Sequence, residues 1–320
     1  MSLRRLPLPL LLPVILPLLL CQCAGKQNPE KMRQEIRERE AALAVASQDW
    51  EKKQARETAK PGQQTIPLER LEALGEMSLQ SRDYETSLIN FLEILKTDPA
   101  RHEIRYKVAV ILFLTGRLDA ARQELALVLM QRPEMLEAHE ALGLVHLEEK
   151  KYPLAIQEFQ AALQQDPARS KARHLLGIAY LEAGQTPRAI AELQRVAAQD
   201  PGNVASLIAL GQAYLKLHDY NRALAILKSA QGKAPDHPKV HRHLGMALAG
   251  LKRYPEALES FLKAGDEAQA YNNIGVHYFK DGYYEEAAKC FQKALDLRST
   301  FYPEAKSNLQ QALEKLQQSR

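Results

Sequence analysis

Three cysteines in 320 residues leave little scope for covalent stapling. Cys21 and Cys23 stand together near the start and Cys290 is alone in the rest, so a disulfide-stapled body is excluded. Aromatic residues make up only 6%, and the 46% apolar content is carried largely by Ala and Leu. With Gln, Glu, Lys and Arg these are the strong helix formers, which points to an all-α chain. Net charge is a small +4, and residues 67–320 carry 32 basic and 32 acidic side chains. A body without excess positive charge lacks the basic face that phosphate neutralisation requires, so nucleic acid is not an expected partner. The one long apolar run, residues 6–20, is too short for a comfortable membrane span, and Pro7, Pro9, Pro13 and Pro17 each remove a helix hydrogen bond.

That run, preceded by Arg4 and Arg5 and followed by Cys21-Gln22-Cys23-Ala24, reads as an export leader over 1–24. An uncleaved anchor is the alternative. A cysteine after a leucine-rich run resembles the bacterial lipoprotein signal, and the resemblance implies lipidation at Cys21 or Cys23 and a place at the outer membrane, since neither is followed by Asp. It departs from that signal in having Leu20 and Gln22, not small residues, before the cysteines, so ordinary cleavage after Ala24 stays open. Residues 25–66 are polar and dense in alternating charge, with apolar residues too sparse for a core; they read as a helical tether or a plain extension. Pro61-Gly62 and Pro67 then punctuate the chain.

The body repeats itself. Pro99, Pro133, Pro167, Pro201 and Pro235 recur every 34 residues. In step with them come Gly75, Gly143, Gly177, Gly211, Gly245 and Gly275, with Ala109 in the second unit, and further along Ser87, Ala121, Ala155, Ala189, Ala223, Ala257 and Ala287. Four residues later stand Phe91, Leu125, Phe159, Leu193, Leu227, Phe261 and Phe291. A mid-helix glycine costs about 1 kcal/mol relative to alanine, so six in register imply a gain from the missing side chain, namely close approach of two helices. Each proline ends a helix by pushing the residue before it out of the helical region.

This pattern resembles the tetratricopeptide repeat family, whose unit is a helix, a tight turn and a second helix. The resemblance implies a right-handed solenoid of seven helix-turn-helix repeats over 67–301, with starts near 68, 102, 136, 170, 204, 238 and 268, and a capping helix over 302–320. In the cap, Leu309, Leu313 and Leu316 should face the array. The unit at 238–267 is short and lacks the closing proline, so its second helix should lose about one turn; a functional kink and plain length drift both fit.

In this family the first helices line a concave groove for extended or helical protein segments. The asparagine of the family's carboxylate clamp is missing, its slot holding Glu76, Val110, Leu144, Ile178, Gln212, Met246 and Val276. The expected partner groove is an apolar stripe of Tyr106, Val110, Phe113, Leu144, Leu147, Ile178, Leu181, Met246, Val276 and Phe279, unless these residues serve only to pack neighbouring units. Toward its C-terminal end Lys239, Arg242, His243, Asn272 and Asn273 form a polar stretch, either a receptor for an acidic segment or a solvated edge. His237, His241 and His243 diverge in phase, so no metal is expected, and no cofactor or catalytic grouping is expected either. The expected function is a non-catalytic scaffold. Leader, tether and repeats together resemble the lipoproteins that help assemble type IV pili and their secretin, the pilotin kind. That resemblance implies a periplasm-facing adaptor attached to the membrane only through its leader or lipid. The alternative is a regulatory or substrate-capturing subunit of an envelope polysaccharide or peptidoglycan enzyme.

Overall fold

The structure, a computed structural model, describes residues 66–298 and 302–318. The leader, Cys21, Cys23 and the polar stretch up to residue 65 lie outside the described residues. Within them are fifteen helices and no strand. They pair as α1 (Leu68–Gln80) with α2 (Tyr84–Thr97), α3 (His102–Leu114) with α4 (Leu118–Gln131), and α5 (Leu136–Glu148) with α6 (Tyr152–Gln165). Next come α7 (Ser170–Glu182) with α8 (Thr186–Gln199), and α9 (Val204–Lys216) with α10 (Tyr220–Lys233). The series ends with α11 (Pro238–Gly250) and α12 (Tyr254–Lys263), α13 (Glu267–Lys280) and α14 (Tyr284–Asp296), and a single α15 (Pro303–Gln318). None of these helices is long and apolar enough to cross a membrane.

Each hairpin closes on the glycine slot. A Cβ added to Gly75, Gly143 or Gly245 would lie 2.5 to 2.6 Å from the ring of Phe91, Phe159 or Phe261. Those rings are buried, and they occupy the space the glycine leaves. The alanine of the second unit, Ala109, is matched by Leu125 instead of phenylalanine. Ser87 fills the small slot of the first α2 without a buried orphan, because its hydroxyl donates to Gly75 O at 2.8 Å.

The turns repeat as faithfully as the helices. Each hairpin turns on one residue in the left-handed region: Gly116, Gly184 and Gly282, but also Arg82, Lys150, His218 and Lys252, at φ between 56° and 62° for the four that are not glycine. The next N–H then bonds back to a carbonyl five residues earlier, as in Lys151 N to His146 O at 2.8 Å and Asp219 N to Tyr214 O at 2.9 Å. That is the Schellman closure of a helix C-terminus. Between units, the residue before each proline is extended, Asp98 at φ −134°, ψ 86° and Asp166 at −136°, 94°. The Asp side chain caps its own turn, Asp166 Oδ1 accepting from Ala168 N at 2.9 Å and Asp200 Oδ1 from Gly202 N at 3.0 Å.

The first helices from α3 onward touch the first helices of neighbouring units, whereas no second helix touches another second helix. First helices therefore form the inner layer and the array curves around them. They approach most closely around α9, where Ala205, Ala209, Gly211 and Ala213 remove bulk.

The sixth unit is short as its sequence implies: α12 has 10 residues where α10 has 14. Gly265, at φ 123°, and Asp266, which caps α13 by accepting from Gln269 N, replace the proline ending. At the C-terminal end α15 takes the place of an eighth first helix. Its buried contacts are Ala305 and Ala312, with Leu309 partly covered, against Ala288, Phe291 and Ala294. Leu313, expected in the contact, is exposed, because small residues let α15 settle one stripe away from it. The other end is unlike this one. Leu74 and Met77 occupy slots that are buried in the second to sixth units, yet they are 37% and 65% exposed.

Two expected outcomes follow from this geometry. Gly143→Ala should cost about 1–2 kcal/mol in urea unfolding, overpacking outweighing the gain in helix propensity. Adding Phe159→Leu should recover most of that loss, since Ala109 with Leu125 is the same pairing; no recovery would mean the glycine serves another purpose. Separately, Lys150→Gly should raise stability by about 0.5–1 kcal/mol by relieving the left-handed residue. Gly184→Ala, where nothing lies within 4 Å of the added Cβ, should lose a similar amount for backbone reasons alone.

Candidate functional site: the inner groove

The inner face is built from two half-exposed apolar patches, not one stripe. The first comprises Tyr106, Val110 and Phe113 on α3, Leu144 and Leu147 on α5, and Ile178 on α7, all half-buried. Tyr106, Phe113, Leu144, Leu147 and Ile178 rest their lower faces on the core and leave their upper faces open. The second comprises Met246 on α11, 38% exposed, and half-buried Val276 and Phe279 on α13. Between them the floor closes. Leu181, expected in the groove, is fully buried, and Ile208 and Leu215 are buried. The close approach of α7, α9 and α11 squeezes these side chains into the core, and Lys216 Nζ reaches back over α7 to the Leu181 carbonyl at 3.0 Å.

The predicted polar end also divides. Lys239 and Arg242 are exposed and Asn273 is half-buried, with no ion pair on either cation among the described residues. Asn272 does not face the groove: it is 2% exposed and packed under α15, where Asn308 Nδ2 donates to its Oδ1 at 3.0 Å and its amide reaches Glu304 Oε1 at 3.5 Å. His243 adds no charge at neutral pH, since burial holds its imidazole below the usual histidine range and its Nδ1 bonds the Lys239 carbonyl at 2.6 Å. The ring of His241 is buried and bonds Pro235 O at 2.5 Å, so these two histidines serve separate backbone carbonyls. Cys290 lies on α14, away from the groove slots; burial pushes its thiol up to about 11, which keeps it protonated and unreactive at neutral pH.

Two groups of residues escaped the sequence reading. The first is a latch on the proline turns. Arg105 donates to Pro99 O at 3.1 Å, His139 bonds Pro133 O at 2.9 Å and Arg173 donates to Pro167 O at 2.5 Å. The same three side chains reach Glu124, Glu158 and Glu192 on the second helix of their own unit, at 2.7, 2.7 and 2.8 Å. The hydrogen bond to Glu158 holds His139 above the usual histidine range. A basic residue six positions after four of the five repeat prolines, Pro201 with Leu207 excepted, was the available signal. The second group is a charge ladder between first helices. Glu72 pairs with Arg101 at 2.7 Å, Lys107 pairs with Glu76, and Glu140 receives Arg169 at 2.9 Å and Lys171 at 2.7 Å. Glu140 is only 1% exposed, so two cations compensate one buried carboxylate.

Family models described as tetratricopeptide repeat match residues 73–131, 146–211, 181–247, 214–273 and 268–301. Among solved structures the chain is similar to a tetratricopeptide repeat protein from Parabacteroides merdae, 15% identical with a TM-score of 0.60 over 77% of this chain and 98% of that one. It is likewise similar to the C-terminal part of a TPR repeat-containing protein from Cytophaga hutchinsonii, at 18% identity and a TM-score of 0.56 over 73% and 98%. In the APC/C hetero-tetramer Cut9–Hcn1 the values are 17% and 0.58, over 79% of this chain and 50% of that one. At these identities the likeness is one of fold. No curated protein matches the chain.

The ladder predicts an asymmetry. Glu140→Gln should cost about 1 kcal/mol or less, because Arg169 and Lys171 can both turn to water. Arg169→Met together with Lys171→Met strands the buried carboxylate and should cost about 3 kcal/mol. Relative to wild type, that loss should shrink as pH falls and the stranded carboxyl protonates. Equal costs in urea unfolding would show that the carboxylate is solvated after all.

Proposed function

The chain belongs to the tetratricopeptide repeat family, and on that premise we propose that it is a non-catalytic scaffold that holds segments of partner proteins in its inner groove. The observation that carries this reading is the open apolar patch of Tyr106, Val110, Phe113, Leu144, Leu147 and Ile178 on three consecutive first helices. A contiguous apolar surface rimmed by charge suits an amphipathic helix or an extended segment with apolar side chains at regular intervals. The charges beside it, Glu72, Lys107, Glu140 and Arg169, are tied to one another, so they rim the patch without pulling it into water.

We place this scaffold on the envelope side of a bacterial membrane, assisting assembly of an envelope complex such as a type IV pilus and its secretin. Support for that comes from the residue pattern of 1–24, with Arg4 and Arg5, the apolar run and the paired cysteines, and from the polar stretch that separates it from the repeats. Attachment through a lipid on Cys21 or Cys23 fits the same pattern.

The immobilised chain is expected to capture its partner from solubilised envelopes, and Leu144→Glu with Ile178→Glu should reduce capture at least about tenfold while far-UV circular dichroism is unchanged. Undiminished capture by the folded double variant would sink the groove reading. Identification of a secretin or pilus subunit, with palmitate incorporation at Cys21 or Cys23, supports the placement; a synthase or hydrolase as the captured protein overturns the assembly role.

A further inference from the structure

The C-terminal apolar patch differs from the first in having a cavity beneath it. Val276, Phe279 and Lys280 of α13, Phe291 of α14, and Asn308 and Gln311 of α15 line an open-sided pocket of about 170 Å³. Its floor is the Phe291 ring, the residue that fills the space opened by Gly275, and that ring is fixed by burial. Phe279 is held edge-on to Tyr284 with centroids 5.4 Å apart. The aromatic part of the wall is thus fixed by packing, and about this volume has room for one benzene-sized group.

The polar atoms at its rim are unevenly engaged. Asn308 Nδ2 is committed to Asn272, and Gln311 Nε2 to Ser307 Oγ at 3.3 Å. Lys280 is exposed and has no ion pair among the described residues, and the neighbouring Asp281 carboxylate already accepts from the Tyr254 hydroxyl at 2.5 Å. One unit earlier Lys239 and Arg242 are likewise exposed and unpaired. In the N-terminal half the groove cations Arg101, Lys107, Arg169 and Lys171 each have a carboxylate partner. Lys280 thus puts spare positive charge at the rim of the pocket, and Lys239 and Arg242 add more on the first helix of the unit before. Few sequences are complementary to both features at once.

We propose that this pocket, between the last hairpin and α15, anchors an acidic segment of a partner protein through one phenylalanine or leucine side chain. Its flanking carboxylates lie against Lys280 on one side and Arg242 and Lys239 on the other. The apolar side chain supplies affinity by leaving water for the cavity, and the carboxylates supply direction along the groove. The assignment rests on the groove reading above and names the ligand for its C-terminal end. Because α15 contributes two of the walls, the pocket exists only where the array stops.

The test uses fluorescence anisotropy with the full chain and a short labelled peptide carrying a central phenylalanine between glutamates. Control peptides replace the phenylalanine by alanine, or the glutamates by lysines. The acidic phenylalanine peptide should bind at least about tenfold more tightly than either control. Lys280→Glu should weaken it about tenfold, and so should Gln311→Glu, which places a competing carboxylate at the rim; both residues are exposed, so neither change threatens folding. Leu144→Glu with Ile178→Glu should leave this peptide's binding intact. Equal affinity for the phenylalanine and alanine peptides overturns the proposal, as does indifference to Lys280→Glu, or loss of binding in the mid-groove variant. If no peptide binds while the wild-type chain still captures its partner, the pocket assignment fails and the groove reading stands.

Discussion

The distance between the two helices of a hairpin is set at one contact, where a second-helix phenylalanine or leucine sits against a first-helix position that has no side chain to spare. With Phe159 on Gly143 and Leu193 on Gly177, an added Cβ would fall well inside van der Waals contact. Everything outward from that contact is constrained by it. Once the two backbones are that close, the remaining apolar residues of each hairpin are left on its flanks, and only a neighbouring hairpin can cover them. Stacking is then obligatory, and the first helices, which touch from unit to unit, become the inner wall. The groove is a by-product of how the hairpins close.

The angle between units is held by polar groups. A proline turn leaves its carbonyl without a helical partner, and in three units a basic side chain takes it while its other nitrogen reaches a glutamate on the second helix. This ties the linker to both helices that follow it. The fifth unit has Leu207 in that slot, and it is there that the first helices draw together and the groove floor closes. The sixth unit, with α12 cut to 10 residues, follows directly. Departures from the repeat therefore cluster in one stretch of the array, and they separate the two apolar patches.

The glycine, alanine and phenylalanine positions made the fold legible in the sequence, because each reports a steric requirement that recurs in every unit. Slots where the requirement is absent read less well. Leu181 matches Leu147 in its own unit's numbering, yet one is buried and the other half-exposed, since burial there depends on how tightly α9 approaches and not on the residue itself. Asn272 likewise shares the slot of exposed Arg242, and α15 covers it. Leu313 was expected in the cap because it shares a side of the helix with Leu309 and Leu316, but the small Ala312 permits the closer seat. The left-handed turn residues were visible as glycine in three units and hidden as Arg, Lys or His in four. Pattern reading finds what every unit shares; neighbour-dependent burial lies beyond it.

Charge gives the groove a direction that its apolar residues do not. In the N-terminal half the cations of the inner face are spent on carboxylates of the adjacent unit, and the buried Glu140 shows how far that pairing goes. Such pairs add little net stability, since desolvation offsets most of the attraction, but they fix register, because the carboxylate cannot shift without being stranded. Toward the C-terminal end the corresponding acidic slots hold Ile208, Arg242 and Asn272, and Lys239, Arg242 and Lys280 have no ion pair among the described residues. The same repeat position thus serves cohesion in one half and leaves an unbalanced field in the other. A field of one sign confined to one end of a groove orients whatever enters, and it does so before any apolar contact is made.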